Sequence, residues 1–87
     1  MARRAQKLRK TVHTAEQKAF SELLTAARRR ADLNQQEVAD LLGKPQSFVA
    51  KYENGDRRLD VIEFVAIAGV LKCDPVKLLG QLIRKIG

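Results

Sequence analysis

The side chains best suited to recognition chemistry are concentrated in one short segment, residues 45–54. A proline opens this segment and a glycine follows it, a pattern that favours a single short helix. At about 100° per residue, such a helix puts its aromatic and branched side chains on one side. The opposite side carries an amide, a hydroxyl, a methyl group and an amine, from Gln46, Ser47, Ala50 and Lys51. Groups of these types can bond to, or pack against, base edges in the major groove of DNA.

The net charge also favours a polyanionic partner. The 17 lysines and arginines outnumber the 10 acids, which gives a net charge of +7 and a pI near 10.1. Five of these cations lie in residues 1–10, and the first acidic residue is Glu16. So basic a chain is expected to bind nucleic acid first and an anionic membrane surface second. We predict a basic arm over residues 1–14, which either contacts DNA or acts only as a solvated tail.

Size and composition disfavour several other classes of function. The 87 residues fit one small domain and are too few for a barrel or a doubly wound sheet. A single histidine and a single cysteine, Cys73, predict no metal site, and we expect no cofactor and no enzyme activity. A lone cysteine fits a cytoplasmic protein. The longest apolar run, residues 64–71, is well short of the roughly 18 residues that span a membrane.

The recognition segment needs a scaffold, and the rest of the chain predicts one made of helices alone. Apolar residues recur at helical spacing in five segments: 15–31, 35–42, 45–54, 61–71 and from 74–75 onward. Residue types that favour a helix start precede four of them: Thr14, Asn34, Asp60 and Asp74. We therefore expect an all-α domain of five helices over residues 15–87.

The second and third predicted helices have the pattern of a helix-turn-helix. They are short, and Gly43 and Lys44 join them through a tight turn. Two helices that cross steeply need a small residue where they touch, which Ala39 supplies, and a buried branched residue in the second helix, which Val49 supplies. The alternative is an ordinary helical hairpin, which would bury an apolar stripe along longer helices.

These segments resemble the phage repressor and Cro-type proteins, the XRE-like helix-turn-helix family. The resemblance lies in residues 33–43 and 46–55, with further matches at 57–60, 74–75 and 78–79. It extends over about residues 20–79 and implies a lambda-repressor-like, five-helix DNA-binding domain. One departure is Asp32, which stands where many relatives have glycine, although aspartate tolerates a left-handed turn.

The resemblance also implies roles for individual residues. Gln46 matches the leading base-reading position and could contact adenine through N6 and N7, with Ser47, Ala50 and Lys51 as the other groove-facing positions. Arg28 and Glu53 match a family ion pair beneath the binding surface. The residues expected at DNA phosphates are Asn34, Gln35, Lys44, Asn54, Arg57 and Arg58.

A short recognition helix reads only a few base pairs, so the resemblance favours a homodimer on two half-sites about 34–36 Å apart. The predicted interface is the last helix, through Leu78, Leu82 and Ile86. The alternative is that these side chains complete the core of a monomer.

The sequence therefore predicts a sequence-specific regulator of transcription that binds double-stranded DNA, as a small repressor or autoregulator reading a palindromic operator through the major groove. The alternative is an antitoxin or adaptor with the same fold, whose main partner is another protein. An RNA-binding module fits less well, because aromatic residues make up only 5% of the chain and Phe48 and Tyr52 are predicted to face the core.

Overall fold

A computed structural model of the protein describes residues 14–87, and five helices follow one another within them: α1 (Ala15–Arg30), α2 (Gln35–Leu42), α3 (Gln46–Glu53), α4 (Val61–Val70) and α5 (Pro75–Ile86). The predicted all-α fold is confirmed for this part of the chain. The predicted basic arm lies outside the described residues, apart from Thr14, which caps α1. None of the described helices combines the length and the apolarity needed to cross a bilayer.

Side-chain caps determine where the helices begin. Four of the five described helices start at an oxygen that accepts a hydrogen bond from an amide of the first turn, from Thr14, Asn34, Asp60 and Asp74. At α2 the bonding is reciprocal, because the backbone N–H of Asn34 also donates to the Glu37 carboxylate at 2.9 Å. The same capping box, from Asp60 and Glu63, begins α4.

Left-handed residues determine where the helices end. Gly43 closes α2 with φ of 69°. Asp32 and Lys72 adopt the same conformation after α1 and α4, with φ of 59° and 57°. These two helices end one residue earlier than predicted, since the chain already turns there. The third helix is shorter than predicted by one residue at each end, because Pro45 is extended and Asn54 is its C-cap.

The core lies where the five helices meet, and it holds the inner side of α3. Its largest fully buried side chains are Tyr52, Leu24, Ile67, Val38 and Val49. Ala39 is also fully buried, in the helix-turn-helix formed by α2 and α3, where a small side chain was predicted. The apolar side of α3 is therefore fixed inside the protein, which leaves its polar side outward.

The last helix faces its neighbours differently from the prediction. It packs on α1 and α4. Leu78 was predicted at a dimer interface, but it is 3% exposed and belongs to the core, so that part of the prediction is wrong. The other two predicted interface residues, Leu82 and Ile86, are half-buried. The apolar side chains that α5 exposes are Val76, Leu79 and Ile83, at 76%, 46% and 45%.

Candidate nucleic-acid interface

The outward side of α3 presents the predicted recognition groups together. Gln46, Ser47 and Lys51 are exposed, and Ala50 is half-buried between them and the core. The first turn of α3 receives no side-chain cap, so its amides have no side-chain partner. The outward face of α3 therefore combines the amide of Gln46 and the ammonium of Lys51 with a hydroxyl and a methyl group.

Phe48 supports the rim of this face from below. Its ring is half-buried and meets the ring of Tyr52 edge-on, with centroids 5.6 Å apart. The Lys44 ammonium lies 5.7 Å from the Phe48 centroid and the Arg57 guanidinium lies 4.7 Å from it. Both cations are therefore within the range of a cation–π contact. One aromatic ring thus brings two of the predicted phosphate ligands to the same edge.

Arg57 has a second partner that the sequence analysis did not foresee. Its guanidinium donates to both oxygens of the Glu63 carboxylate, at 2.9 and 3.1 Å. This pairing raises the pKa of Arg57. It also lowers the pKa of Glu63, with help from the backbone amide of Asp60. A phosphate at Arg57 must therefore compete with Glu63, which makes Arg57 first a link between α3 and α4.

A buried ion pair lies beneath α3, between the residues predicted to form one. Arg28 donates through Nε to Oε2 of Glu53 at 2.7 Å and through Nη2 to Oε1 at 3.0 Å. The side chains are 12% and 4% exposed. The remaining nitrogen, Nη1, donates to the carbonyl oxygen of Leu33 at 3.0 Å. The hydrogen bonds to Glu53 raise the pKa of Arg28 against the opposing effect of burial. The pair joins the end of α1 to α3.

Gln35 extends this pair to the surface. Its Nε2 donates to Oε1 of Glu53 at 2.9 Å, and its Oε1 accepts from Nε2 of Gln46 at 2.7 Å. We call the side chains of Arg28, Glu53, Gln35 and Gln46 the relay. Gln35 was predicted as a phosphate ligand, but its side chain is engaged in the relay. What it still offers a phosphate is its amide in the first turn of α2.

The other predicted phosphate ligands surround the recognition face. Asn34 is exposed at the start of α2, although its side chain already caps that helix. Lys44 is exposed in the turn and Asn54 at the end of α3. Arg58 is exposed in the segment that follows. These cations and amides are therefore exposed before and after α3 along the chain, where phosphates can reach them.

A second surface of the protein is apolar. It includes an open groove of about 330 Å³ between the start of α4 and α5, with Phe20 of α1 at its side. Its lining is almost entirely hydrocarbon, from Leu59, Val65, Val76, Leu79 and Leu82 among others. Several of these side chains are among the large hydrophobic residues that the described chain exposes. A contiguous exposed patch of this kind is typical of an interaction surface.

Similar proteins of known structure share this architecture. An XRE-family like protein from Pseudomonas syringae pv. tomato str. DC3000 is 45% identical, with a TM-score of 0.79 over 87% of this chain and 93% of its own. The restriction-modification controller protein C.AhdI from Aeromonas hydrophila is 28% identical, with a TM-score of 0.70 over 75% of this chain and 98% of its own. The controller protein C.Esp1396I, solved as a tetramer in complex with its natural 35 base-pair operator, shows the same fold. It is 18% identical, with a TM-score of 0.76 over 85% of this chain and 97% of its own.

A comparison with curated proteins finds no significant match. The helix-turn-helix family model HTH_3 matches residues 24–78, which is more than half of the chain and includes all of α2, α3 and α4. Together with the exposed polar face of α3, this match decides the family. The chain belongs to the XRE-like helix-turn-helix family of DNA-binding transcriptional regulators.

Proposed function

We propose that this regulator binds a palindromic operator as a homodimer, with α3 of each copy in the major groove, and that it acts by occupying that operator. The observation that carries the proposal is the division of α3 into two sides. Val49 and Tyr52 are buried, whereas Gln46, Ser47 and Lys51 are exposed. A helix of this width fits the major groove of B-DNA.

Each exposed group has a complementary partner on a base edge. The Gln46 amide can donate to N7 of adenine and accept from its N6 amino group. Lys51 can donate to O6 and N7 of guanine, or to a phosphate. Ala50 is half-buried and can reach only a group that projects into the groove, such as a thymine methyl. Three positions on one face therefore suffice to distinguish a short half-site.

The flanking groups supply affinity that does not depend on sequence. Lys44, Asn54 and Arg58 are exposed near the ends of α3. The first-turn amides of α2 add the positive end of a helix dipole. The net charge of +7 includes five cations in residues 1–10, which can add phosphate contacts as the proposed arm. Binding should therefore weaken steeply as salt is added.

The proposed dimer uses the apolar surface of α4 and α5. We place a second copy of the chain against Val65, Val76 and Leu79, because these side chains are exposed and line an apolar groove. Ile83, which α5 also exposes, extends this surface. A two-fold interface buries each of them twice, once in each copy. The relative that binds its operator as a tetramer supports the idea that this fold assembles on DNA. In this proposal Leu82 lies within the interface, because it lines the groove, whereas Ile86 lies at the border and Leu78 lies beneath it.

The proposal is tested by selecting bound duplexes from a random pool at physiological salt. We expect one half-site to appear twice with two-fold symmetry. Gln46→Ala should relax a single base position in each half-site, with a loss of about 1–3 kcal/mol of discrimination there. Gln36→Ala is the matched control, since this exposed glutamine bonds only to Asp40 in the described structure. The absence of any shared motif for the unaltered protein would contradict sequence-specific binding.

Lys51→Ala separates the two roles open to that lysine. A relaxed base position in the selected motif indicates contact with guanine. A uniform loss of affinity across all sequences, with a smaller salt dependence, indicates contact with a phosphate.

A further inference from the structure

We infer that the Glu63 carboxylate competes with DNA phosphates for Arg57, and that it keeps Arg57 from adding to the affinity for DNA. The inference rests on the proposed function, in which the rim of the recognition face meets the DNA backbone. It adds an acidic residue that limits how tightly the protein binds DNA of any sequence, without changing which bases are preferred. Glu63 acts through Arg57 in this role and contacts no DNA itself.

Arg57 lies at the rim of the recognition face, where a phosphate could reach it. Its guanidinium is 4.7 Å from the ring centroid of Phe48, a residue of α3, and the ammonium of Lys44 is 5.7 Å from the same centroid. The Arg57 side chain is 38% exposed. Lys44 is exposed in the turn before α3. By position alone, both cations could contact the DNA backbone.

The guanidinium of Arg57 is already bound in the way that a phosphate would bind it. Arginine recognises carboxylates and phosphates alike through two parallel N–H groups. In Arg57, Nη1 and Nη2 donate to the two oxygens of Glu63, at 3.1 and 2.9 Å. Nη1 also donates to the carbonyl oxygen of Arg58 at 2.6 Å. The end of the guanidinium that could bind a phosphate through both nitrogens is therefore occupied by a carboxylate of the protein.

The charge of the guanidinium is also balanced at this position. A phosphate that approached the remaining Nε side of Arg57 would be attracted by the guanidinium and repelled by the carboxylate bonded to it. A neutral pair displaces few counterions, and counterion release is the source of affinity for the DNA backbone. Lys44 helps to lower the pKa of Glu63, so the same carboxylate lies within electrostatic range of both cations on the Phe48 ring.

A second interaction holds Glu63 beside Arg57. The Glu63 carboxylate accepts the backbone N–H of Asp60 at 2.9 Å, and the backbone N–H of Glu63 donates to the Asp60 carboxylate at 2.7 Å. This reciprocal cap begins α4 and keeps the carboxylate close to the guanidinium. A phosphate must therefore compete with a ligand in the same molecule, whose effective concentration is high.

The test replaces Glu63 with glutamine, which removes the charge and keeps an oxygen for the cap. The readout is the affinity for a duplex of arbitrary sequence, measured by fluorescence anisotropy over a series of salt concentrations. We expect Glu63→Gln to free Arg57 for one phosphate contact, which steepens the slope of log K against log salt by about 0.9 for each copy bound. Binding at ~0.1 M salt should then be about eightfold tighter for each copy, with little difference at ~1 M salt.

The matched control is Glu22→Gln, which makes the same change of charge on α1. Within residues 14–87 the ion pair of Glu22 is a 4.0 Å contact with Lys85 between two exposed side chains. We expect this variant to keep the slope of the unaltered protein. An equal steepening in both variants would overturn the inference, because net charge alone would then explain the gain.

The double variant Arg57→Ala with Glu63→Gln identifies the cation that is freed. It removes both charges of the pair, and we expect it to return the slope to that of the unaltered protein. A slope as steep as that of Glu63→Gln alone would mean that another cation makes the new contact. A slope below that of the unaltered protein would mean that Arg57 already binds a phosphate beside Glu63. Either result overturns the inference.

These outcomes are separate from those that test the proposed function. Duplex selection with Glu63→Gln should return the same motif as the unaltered protein, because the added contact does not depend on sequence. If the unaltered protein binds DNA and Glu63→Gln changes neither slope nor affinity, the inference fails and the proposed function is unaffected. If the unaltered protein binds no duplex, both fail. All variants are compared at a temperature at which thermal unfolding shows them to be folded.

Discussion

The two exposed surfaces of this protein are built on opposite principles. The recognition face of α2 and α3 is polar, and its side chains are held by hydrogen bonds that continue to the buried pair of Arg28 and Glu53. The face of α4 and α5 is apolar, and the lining of its groove is almost entirely hydrocarbon. Directional bonds can distinguish one base from another, whereas an apolar face responds mainly to the area and shape it buries. Under the proposed function, reading a base sequence and holding a partner fall to different surfaces.

The largest expected effect comes from removing Glu53, the buried carboxylate to which the polar surface is hydrogen-bonded. Glu53→Ala leaves the Arg28 guanidinium without its carboxylate, and we expect the free energy of unfolding to fall by about 3 kcal/mol. Chemical denaturation measures this loss. Glu22→Ala is the control, because within residues 14–87 the ion pair of Glu22 is a 4.0 Å contact with Lys85 between two exposed side chains. Equal losses in the two variants would show that burial of the pair contributes nothing.

The next largest effect is expected when a charge is introduced into the apolar surface of α4 and α5. Leu79→Glu places a charge in the proposed interface, and we expect the dimer to weaken by about 2 kcal/mol or more, measured by sedimentation equilibrium. Gln81→Glu introduces the same charge at an exposed position of α5 and should leave the dimer intact. A variant Leu79→Glu that dimerises as well as Gln81→Glu would contradict the proposed interface and leave this face to another protein.

A smaller effect on the free energy of unfolding is expected when one buried polar group is removed from the core side of α3. The Tyr52 hydroxyl is buried without a hydrogen-bond partner in the described structure, and burial raises the pKa of Tyr52. Tyr52→Phe removes that hydroxyl and should stabilise the protein by about 1 kcal/mol in chemical denaturation. The selected DNA motif should not change. A loss of stability would mean that the hydroxyl does bond to something in solution.

The smallest effect concerns the ion pair of Arg57 and Glu63, which links α3 to α4. Since the pKa of Glu63 is lowered in the folded protein, the pair stabilises the fold above the ordinary carboxyl pKa. This contribution is lost as the pH falls through the lowered value. Glu63→Gln should therefore be less stable than the unaltered protein at neutral pH by less than about 1 kcal/mol, and the difference should vanish in acid.

The control for this pH dependence is Glu37→Gln. It makes the same change from carboxylate to amide in the reciprocal cap of α2, without disturbing Arg57. Denaturation curves from about pH 6 to about pH 3 compare the two variants. If both lose stability with the same pH profile, the cap alone explains the effect and the pairing with Arg57 does not.

The sequence predicted the elements well because their signals are local. Caps three residues apart, such as Asn34 with Glu37 and Asp60 with Glu63, marked the helix starts that the structure shows. Helix ends were less accurate at α1 and α4, where the left-handed residues are Asp32 and Lys72 rather than glycine. The exposed side of α3 followed from helical periodicity alone.

The rest depended on contacts that no local pattern reveals. Gln35 lies 11 residues from Gln46 and 18 from Glu53, so nothing in its neighbourhood indicated that its side chain joins them. The face of α5 was misread for a related reason. Apolar residues occur on two of its sides, and periodicity does not tell which side meets α1 and α4. Leu78 was therefore assigned to a partner although it fills the core.

The hydrogen bond between Gln35 and Gln46 also limits how the preferred operator can drift over generations. A change at position 46 alone leaves the Gln35 oxygen without this hydrogen bond, and a change at position 35 alone removes the acceptor that holds Gln46. Under the proposed function, the residues at positions 35 and 46 are therefore expected to change together when the preferred base changes.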